Sequence, residues 1–560
     1  MLTPRTQTKT TTTHPKKKLG GPILAIIPAA GTPTNKIIPH RHLPDTMLPI
    51  NGKPVIGHII DDLIGRGITD IALVLHKEDN HTEHYAKRMY GGKCLLTVLY
   101  NKNPELGIGH SIATSALQNN EAESILVYLG DTLYKGALSF DKDFIVVADP
   151  ISESSKWCFV EKTGKNHLFI NKPTHYEGNG KILCGVYFFR DADTLRSLLM
   201  HATDREQKTE LADILTQYVK ENPLSLVPAQ HWFDCGNVEN YHRAKIHFLK
   251  TREFNTITYD DTYGTITKTG RNKKKIADEI KWYKTIPGDL AIFAPRLVNA
   301  SLTARSTSYT TEFYGYQTLA DLLMFESLDI KFWETIIKKL FVTLSLFKKH
   351  TGTVPFTYYE DMYLTKTISR LEELKNSASW KDLMEIETLT INGKRHHNIA
   401  FFLPRIKKAL KKLYQKKEIS FIHGDFFLGN ILYDPSSNIL KCIDPRGSFG
   451  KTSSFGDHKY DVAKLRHSFH GLYDYIVSDL FSVEGNGNTW NLKFFTSPEL
   501  EDVRHYFDRE LAANKFDLFS VGLIEALLFL SMPPLHKDNP KRQLAMYLRG
   551  IELINNLEWN

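Results

Sequence analysis

Asp425, Asn430 and Asp444, in the later half of the chain, have the types and spacing that metal-assisted phosphoryl transfer needs. In His423-Gly424-Asp425-Phe426-Phe427-Leu428-Gly429-Asn430-Ile431-Leu432, an Asp and an Asn stand five residues apart on a loop after an apolar strand. A carboxylate there can orient a hydroxyl, and an amide oxygen can hold Mg2+. Asp425 takes the catalytic role and Asn430 the metal-binding one. Asp444 ends the short apolar run Ile439 to Ile443, which reads as the strand returning from the turn Asp434-Pro435-Ser436-Ser437-Asn438. A carboxylate at that place can bridge metal to the β- and γ-phosphates of ATP, because Mg2+ takes hard oxygen ligands and keeps the rest of its shell for phosphate and water. Asp, Asn and Gly also make ordinary turns. The reading therefore rests on the whole set, with His-Gly before it and Asp444 after it.

His-Gly-Asp-x4-Asn-Ile-Leu with a downstream Ile443-Asp444 resembles the aminoglycoside phosphotransferase and choline kinase family. The resemblance covers about Tyr259 to the C-terminus, and it implies a protein-kinase-like, two-lobed α+β fold. Such folds hold the α- and β-phosphates with a strand lysine paired to a helix glutamate. Gly264 to Thr269 reads as a strand by its alternation and Lys275 to Tyr283 as a helix, so Lys268 and Glu279 are the candidates. The alternative is a solvated surface lysine, since Lys273, Lys274 and Lys275 are adjacent. Thr311 to Phe325 would be the connection between lobes near the adenine, and helices over Lys331 to Lys349 and Asn398 to Gln415 fit a helical lower lobe.

The elements of the first half alternate. Pro22 to Pro28 is a short apolar strand feeding Ala29-Ala30-Gly31-Thr32, where small residues let a phosphate approach backbone amides. A helix opened by Lys53-Pro54-Val55-Ile56 and running to about Gly65, strands over Asp70 to Leu75 and Leu95 to Tyr100, a helix over Gly109 to Gln118 and a strand over Ser124 to Leu129 follow. This order predicts a parallel sheet in an α/β layer with ligands at the carboxyl ends of its strands.

Ala29-Ala30-Gly31, Leu48-Pro49-Ile50-Asn51-Gly52-Lys53-Pro54, Gly107-Ile108-Gly109-His110, Gly130-Asp131 and Trp232-Phe233-Asp234-Cys235-Gly236 occur in the order and spacing of the sugar nucleotidyltransferases. The resemblance covers roughly Pro22 to Lys250 and looks closest to bacterial choline-phosphate cytidylyltransferases and glucose-1-phosphate thymidylyltransferases. It implies a Rossmann-like domain in which a substrate phosphate attacks the α-phosphorus of a nucleoside triphosphate and pyrophosphate leaves. By position, Asp131 and Asp234 would hold Mg2+, Gly107 would lie against the base, Lys172 would face the substrate phosphate, and Ala30, Gly31 and Lys53 would line the nucleotide. The chain departs from the pattern in two places. Gly31-Thr32 runs straight into Pro33-Thr34, and Asp45 stands where a lysine is expected, which reverses the local field. Lys36, His40 and Arg41 are nearby cations that could compensate. A domain that only binds or scaffolds is therefore the competing expectation.

At 560 residues the chain is too long for one ordinary core. The expected divisions are a basic tail over 1–21, a nucleotidyltransferase-like domain over 22–252 and a kinase-like domain over 253–560. The net charge of +8 does not argue for nucleic acid, because Arg5, Lys9, Lys16, Lys17 and Lys18 lie on the Thr-rich tail. Cys94, Cys158, Cys184, Cys235 and Cys442 show neither disulfide nor zinc spacing and suggest reduced thiols in cytoplasm. The tail lacks the apolar core of a signal peptide, and Phe516 to Leu530 reads as a buried helix, so no membrane partner is expected.

A kinase and a nucleotidyltransferase in one chain are successive steps of one pathway. The expected function is phosphorylation of a small alcohol or sugar by ATP, then transfer to a second nucleoside triphosphate, CTP from the resemblance. The resembling families imply use of the product in surface polysaccharide decoration. A kinase with a binding-only first domain and a non-catalytic nucleotide-binding regulator are the alternatives. The chain could also form a homo-oligomer through its first domain. For the acceptor, Arg446 favours a carboxylate or phosphate over an ammonium group. Tyr358, Tyr359, Glu360 and Asp361, or Asp457, Tyr460 and Asp461, could instead make a cation site.

Overall fold

In this computed structural model the described residues are 22–31, 43–118, 121–151, 153–163, 166–203, 207–249, 255–303, 307–326, 328–451 and 454–559. The basic tail, the loop carrying Lys36, His40 and Arg41, and the expected boundary at 252/253 lie outside them. Contacts divide the chain into two compact units, one built mainly from residues 55–236 with the first strand and Pro44–Thr46, the other from residues 237–560 with 35–43 and 47–54.

The first unit is mixed α/β. Its strands and helices are β1 (Ile23–Ala29), α1 (Val55–Gly65), β2 (Asp70–His76), α2 (Asn80–Tyr90), β3 (Leu95–Asn101), α3 (Ile108–Ala116), β4 (Ser124–Tyr128), β5 (Thr132–Lys135), β6 (Phe144–Ala148), β7 (Cys158–Thr163), β8 (Asn166–Asn171), β9 (Lys181–Phe189), α4 (Ala192–Thr203), α5 (Leu211–Tyr218), β10 (Ser225–Pro228) and β11 (His231–Asp234). The main sheet runs β8-β7-β9-β4-β1-β2-β3, with β6 joined at β9 and β10 pairing β6. The strands β3, β2, β1 and β4 are parallel. They read as continuous Val, Ile and Leu runs because helices cover them. These are the four strands from which the sequence predicts a parallel sheet; beyond them β9 pairs antiparallel to β4. Its sequence is apolar on both faces, and such a run does not disclose direction. Leu24, Ile26, Val74, Ile125 and Val127 pack with Ile112, Leu195 and Leu215 of the covering helices in one core.

The second unit begins with α6 (Val238–Leu249). An antiparallel sheet follows, ordered β12-β13-β15-β14, from β12 (Asn255–Asp260), β13 (Thr265–Gly270), β14 (Leu297–Leu302) and β15 (Thr307–Glu312), with α7 (Lys273–Thr285) between its second and third strands. The remainder is mainly helical: α8 (Leu319–Phe325), α9 (Ile330–Lys349), α10 (Phe356–Glu360), α11 (Lys366–Leu374), α12 (Ala378–Glu385) and α13 (Ile399–Leu413) precede a set of short hairpins. Of these, β16 (Thr388–Ile391) and β17 (Lys394–His397) join the later β22 (Phe481–Asn486) and β23 (Thr489–Phe494) in one sheet, while β18 (Ile419–Phe421) pairs β21 (Phe455–Asp457), and β19 (Ile431–Asp434) pairs β20 (Ile439–Cys442). The helices α14 (His458–Phe469), α15 (Tyr473–Val477), α16 (Leu500–Ala513), α17 (Leu518–Leu530) and α18 (Pro540–Asn555) complete it. The apolar α17 is buried from Ser520 to Leu530. No helix among the described residues is long and apolar enough to cross a membrane.

Candidate functional site

In the second unit, β13 and α7 bring Lys268 and Glu279 together. The Lys268 Nζ lies 2.9 Å from Oε2 of Glu279 and 3.0 Å from Oδ1 of Asp444. Both members of the first pair are buried, and the Tyr309 hydroxyl donates to the same Glu279 oxygen at 2.8 Å. Burial pulls the Lys268 ammonium down, but Asp444 and Glu279 reverse this, so its pKa is raised. Burial also raises the Glu279 carboxyl, against the opposing pull of Lys268.

Two contacts fix α7. The Trp282 indole Nε1 donates to Ile422 O at 2.9 Å, inside a cluster with Ile276, Tyr283, Tyr309, Phe347 and Phe421. At Gly447, where φ is +72°, a Cβ would stand 2.1 Å from Asp278 O. Only glycine permits that approach, so the loop after Asp444 rests on the α7 backbone beside Glu279.

The loop His423 to Asn430 runs from β18 to β19. Ile443 N donates to Asn430 O and Arg446 N to His423 O, each at 2.9 Å, which sets Asn430 and Asp444 at the same end of the β19–β20 hairpin. The Asn430 amide Nδ2 donates to Asp425 O and Oδ2, both at 3.1 Å. This leaves its oxygen as the end available to a cation. Asp425 Oδ1 is 2.9 Å from the buried Lys464 Nζ. Burial alone would raise the Asp425 carboxyl, but the Lys464 pair prevails and holds it below its ordinary value.

Lys464 and Asp461, both on α14, are the functional side chains the sequence reading missed or misplaced. Asp461 accepts the backbone N–H groups of His423 and Gly424 at 2.7 and 2.8 Å. Burial pushes its pKa up to about 7 despite those bonds. Asp457 is buried, accepts from Tyr363 and pairs with Lys459 at 3.1 Å. The alternative cation site at Asp457, Tyr460 and Asp461 is therefore corrected: its carboxylates are engaged in holding the fold. The available signal was charge on a helix whose residues Val462, Ala463 and Leu465 are apolar around it, since charges on such a helix are costly unless paired. His423 is buried against Trp282 and Phe426. Burial lowers its pKa to about 4, so it is a neutral packing residue.

In the first unit, the β5–β11 ladder pairs Asp234 with Thr132, and Cys235 N donates to Asp131 O at 2.7 Å. Asp131 Oδ2, Asp234 Oδ1 and Asp45 Oδ2 lie 3.1, 3.3 and 3.6 Å from the point where a Gly236 Cβ would stand. Three carboxylates thus converge. Burial raises Asp131. Burial, then the Asp131 charge, push Asp234 to about 7 and Asp45 to about 6. The backbone of Lys172, at φ +45°, donates to Trp157 O at 2.9 Å, and its charge opposes the rise at Asp131 and Asp234. At Gly130 a Cβ would stand 2.7 Å from the Ala29 Cβ, so the end of β4 closes on the end of β1, where Ala30 and Gly31 follow. Gly107 caps the start of α3. Lys53, in the short strand Lys53–Pro54, belongs to the second unit.

Hard oxygen donors raised by burial, and at Asp234 and Asp45 also by the Asp131 charge, fit a divalent cation. No group of three His, Cys, Asp or Glu among the described residues forms a metal cluster by itself. Mg2+ at Asp131 and Asp234, or at Asn430 and Asp444, would thus take part of its shell from substrate oxygens, as this ion usually does.

A family model described as "Nucleotidyl transferase" matches residues 38–251. The chain is 36% identical over 72 residues to a UTP–glucose-1-phosphate uridylyltransferase of Klebsiella pneumoniae, covering 13% of this chain and 24% of that one. It is 23% identical over 214 residues to "Probable mannose-1-phosphate guanylyltransferase 3" of Arabidopsis thaliana, covering 36% and 62%. A solved UDP-glucose pyrophosphorylase from Acinetobacter baumannii is 18% identical at a TM-score of 0.34, covering 41% of this chain and 95% of that one. The chain spans less than two thirds of the length of these curated relatives. The N-terminal part of the chain is thus nucleotidyltransferase-like over the matched residues 38–251, and the first compact unit has a mixed α/β fold.

Proposed function

We propose that the chain is a bifunctional transferase that phosphorylates a small alcohol or sugar with ATP in its second unit and joins the product to a nucleotidyl group in its first. The observation that carries the kinase half is Lys268, held at 2.9 Å by Glu279 and at 3.0 Å by Asp444 in a buried, charge-compensated arrangement. A cation so pinned can meet phosphate oxygens without reorganising.

The acceptor hydroxyl oxygen bonds to the γ-phosphorus of ATP as the bond to the β,γ-bridging oxygen breaks. Asp425 receives the hydroxyl proton, and the electron pair leaves with ADP. Lys464 keeps Asp425 ionised and oriented before the transfer. Mg2+ held by Asn430 and Asp444 would supply the positive charge that the β- and γ-phosphates need.

At the first unit's site an oxygen of the product phosphate bonds to the α-phosphorus of the second nucleoside triphosphate, and pyrophosphate leaves. Asp131 and Asp234 would hold the Mg2+ that offsets charge at the α-phosphate, while Lys172 steadies the incoming phosphate. Asp45 makes this pocket more acidic, which strengthens its demand for a cation. The resemblance favours CTP as the base donor, whereas the relatives bear names of UTP and GTP chemistry.

The test supplies the full chain with Mg-ATP, a panel of alcohols and CTP, UTP, GTP or dTTP, and reads products by mass spectrometry. Acceptor-dependent ADP abolished by Asp425→Ala, and pyrophosphate abolished by Asp131→Ala, are the expected results. Pyrophosphate release unchanged in Asp131→Ala would remove transferase chemistry from that site.

A further inference from the structure

Beside Asp425 the second unit gathers cations that form no ion pair with a carboxylate among the described residues. Tyr460 is their centre. Its hydroxyl accepts from Arg446 Nη1 at 3.0 Å, and Lys366 Nζ lies 5.8 Å from its ring centroid. One turn along α14 is Lys464, paired to Asp425. One turn along α11 from Lys366 is Arg370, whose Nη1 donates to Ser531 O at 2.8 Å. Met362 Sδ, 3.8 Å away, is the hydrogen-bond partner of Lys366. Among the described residues, Lys366, Arg370 and Arg446 have no carboxylate within ion-pair distance. Asp425, whose charge acts on Arg446, is paired to Lys464; Glu373, whose charge acts on Arg370, is paired to Lys537; Asp361 is held by Lys451 and Asp457 by Lys459.

Arg446 also belongs to the catalytic loop's surroundings. Its N–H is bonded to His423 O, and a Cβ on Gly424 would stand 2.9 Å from the Arg446 Cβ. The group is electrostatically uncomfortable as it stands. Burial, then Arg446, Arg370 and Lys464, push the Lys366 ammonium far below its ordinary value, and burial and Arg446 lower Arg370. Like charges out of water are retained at a cost unless an anion relieves them.

Resting on the kinase reading above, we propose that the alcohol phosphorylated at Asp425 carries a second, anionic group, a carboxylate or a phosphate, and that Lys366 and Arg446, backed by Arg370, hold it. The guanidinium of Arg446 offers a fork suited to a planar or tetrahedral oxyanion. The reaction is the one written above, with hydroxyl oxygen bonding to the γ-phosphorus, proton to Asp425 and ADP leaving. The anionic group of the acceptor stays intact. An ammonium alcohol would bring a cation against three others, so the same residues reject it.

The experiment measures ADP release by the full chain with Mg-ATP and matched acceptors: glycerate and other hydroxy acids, glycerol 3-phosphate and other polyol phosphates, glycerol, and ethanolamine with choline. The expected result is that one anionic class exceeds glycerol in kcat/KM by about thirtyfold or more, as a charge-assisted contact to a desolvated site warrants. Which class wins names carboxylate or phosphate. Lys366→Met should collapse that ratio toward one, whereas Lys366→Arg should retain it. If Lys366→Met does not fold, Arg446→Gln carries the same comparison. Amino alcohols or glycerol turned over as well as the acids, or a ratio unmoved in the folded variant, overturns the anionic acceptor while leaving the kinase standing. No ADP from any class, with Asp425→Ala indistinguishable from the parent chain, removes the kinase itself and this inference with it.

Discussion

Lys464 and Asp425 form an ion pair at 2.9 Å in which the lysine side chain is 4% exposed and the aspartate 35%. The pair joins a buried helix to the loop assigned the chemistry. One partner is locked in the interior while the other is partly open to solvent.

Removing that cation leaves burial as the main influence on Asp425, so its pKa must rise. In Lys464→Met the acid limb of the pH dependence of kcat/KM for ADP formation should move to higher pH, with about a tenfold loss for each unit of displacement at pH values on that limb. A pH profile checks this. An unmoved limb would show that Lys464 only fills space.

Lys268→Met strands the buried Glu279 carboxyl. Breaking a buried pair costs about 3–5 kcal/mol, and loss of a preorganised phosphate contact should lower ADP formation on the order of a hundredfold. Lys268→Met combined with Glu279→Met should recover stability though not activity. Denaturant unfolding of both proteins decides it, and a double variant no more stable than the single one would refute the coupling.

Asp131, Asp234 and Asp45 all lie above the ordinary carboxylate value. A group raised in the folded state contributes stability that is full below its unfolded pKa and lost as pH rises through the folded one. Without Mg2+, the first unit should therefore lose stability between about pH 4 and the values of about 6 and about 7 at Asp45 and Asp234. Added Mg2+ should raise its Tm more at pH 8 than at pH 5, because the cation needs the ionised carboxylates. Asp131→Asn should raise the metal-free Tm at pH 8 and abolish the Mg2+ effect. Calorimetry with and without Mg2+ measures all of these quantities.

Gly447→Ala places a Cβ 2.1 Å from Asp278 O at a φ of +72°. The strain, about 1–3 kcal/mol before the clash is counted, should push the Asp444 loop off α7. ADP formation should fall while pyrophosphate release from supplied phosphorylated acceptor continues. Equal loss of both activities would contradict this assignment.

Local pattern made much of this legible. Asn430 and Asp444 flank one short hairpin and Asp425 lies on the loop leading into it, so their spacing in the chain is nearly their arrangement in space. The alternation around Lys268 and the helical run containing Glu279 found the ion pair, because β13 and α7 are consecutive. Strand direction in β9 was not legible, since an apolar run buried on both faces has no period that distinguishes its partners. The acids of α14 were misread for a similar reason. Asp461 caps backbone N–H groups of the loop at His423, a contact set by tertiary packing that no spacing along the chain announces. Asp45 was legible only as a departure, and its convergence with Asp131 and Asp234 depended on where its loop returned.

The two fastenings of α7, the Trp282 indole on Ile422 and the bare Gly447 against Asp278, bear on how such a site can be governed. Withdrawing Glu279 would mean tearing an indole out of a close-packed interior and prising a loop from the peptide plane it touches. On the proposed kinase reading, a domain built this way keeps Lys268 and Glu279 paired whether or not nucleotide is present. Control over the proposed phosphoryl transfer is then expected from the supply of reactants, since this helix is not free to act as a lever.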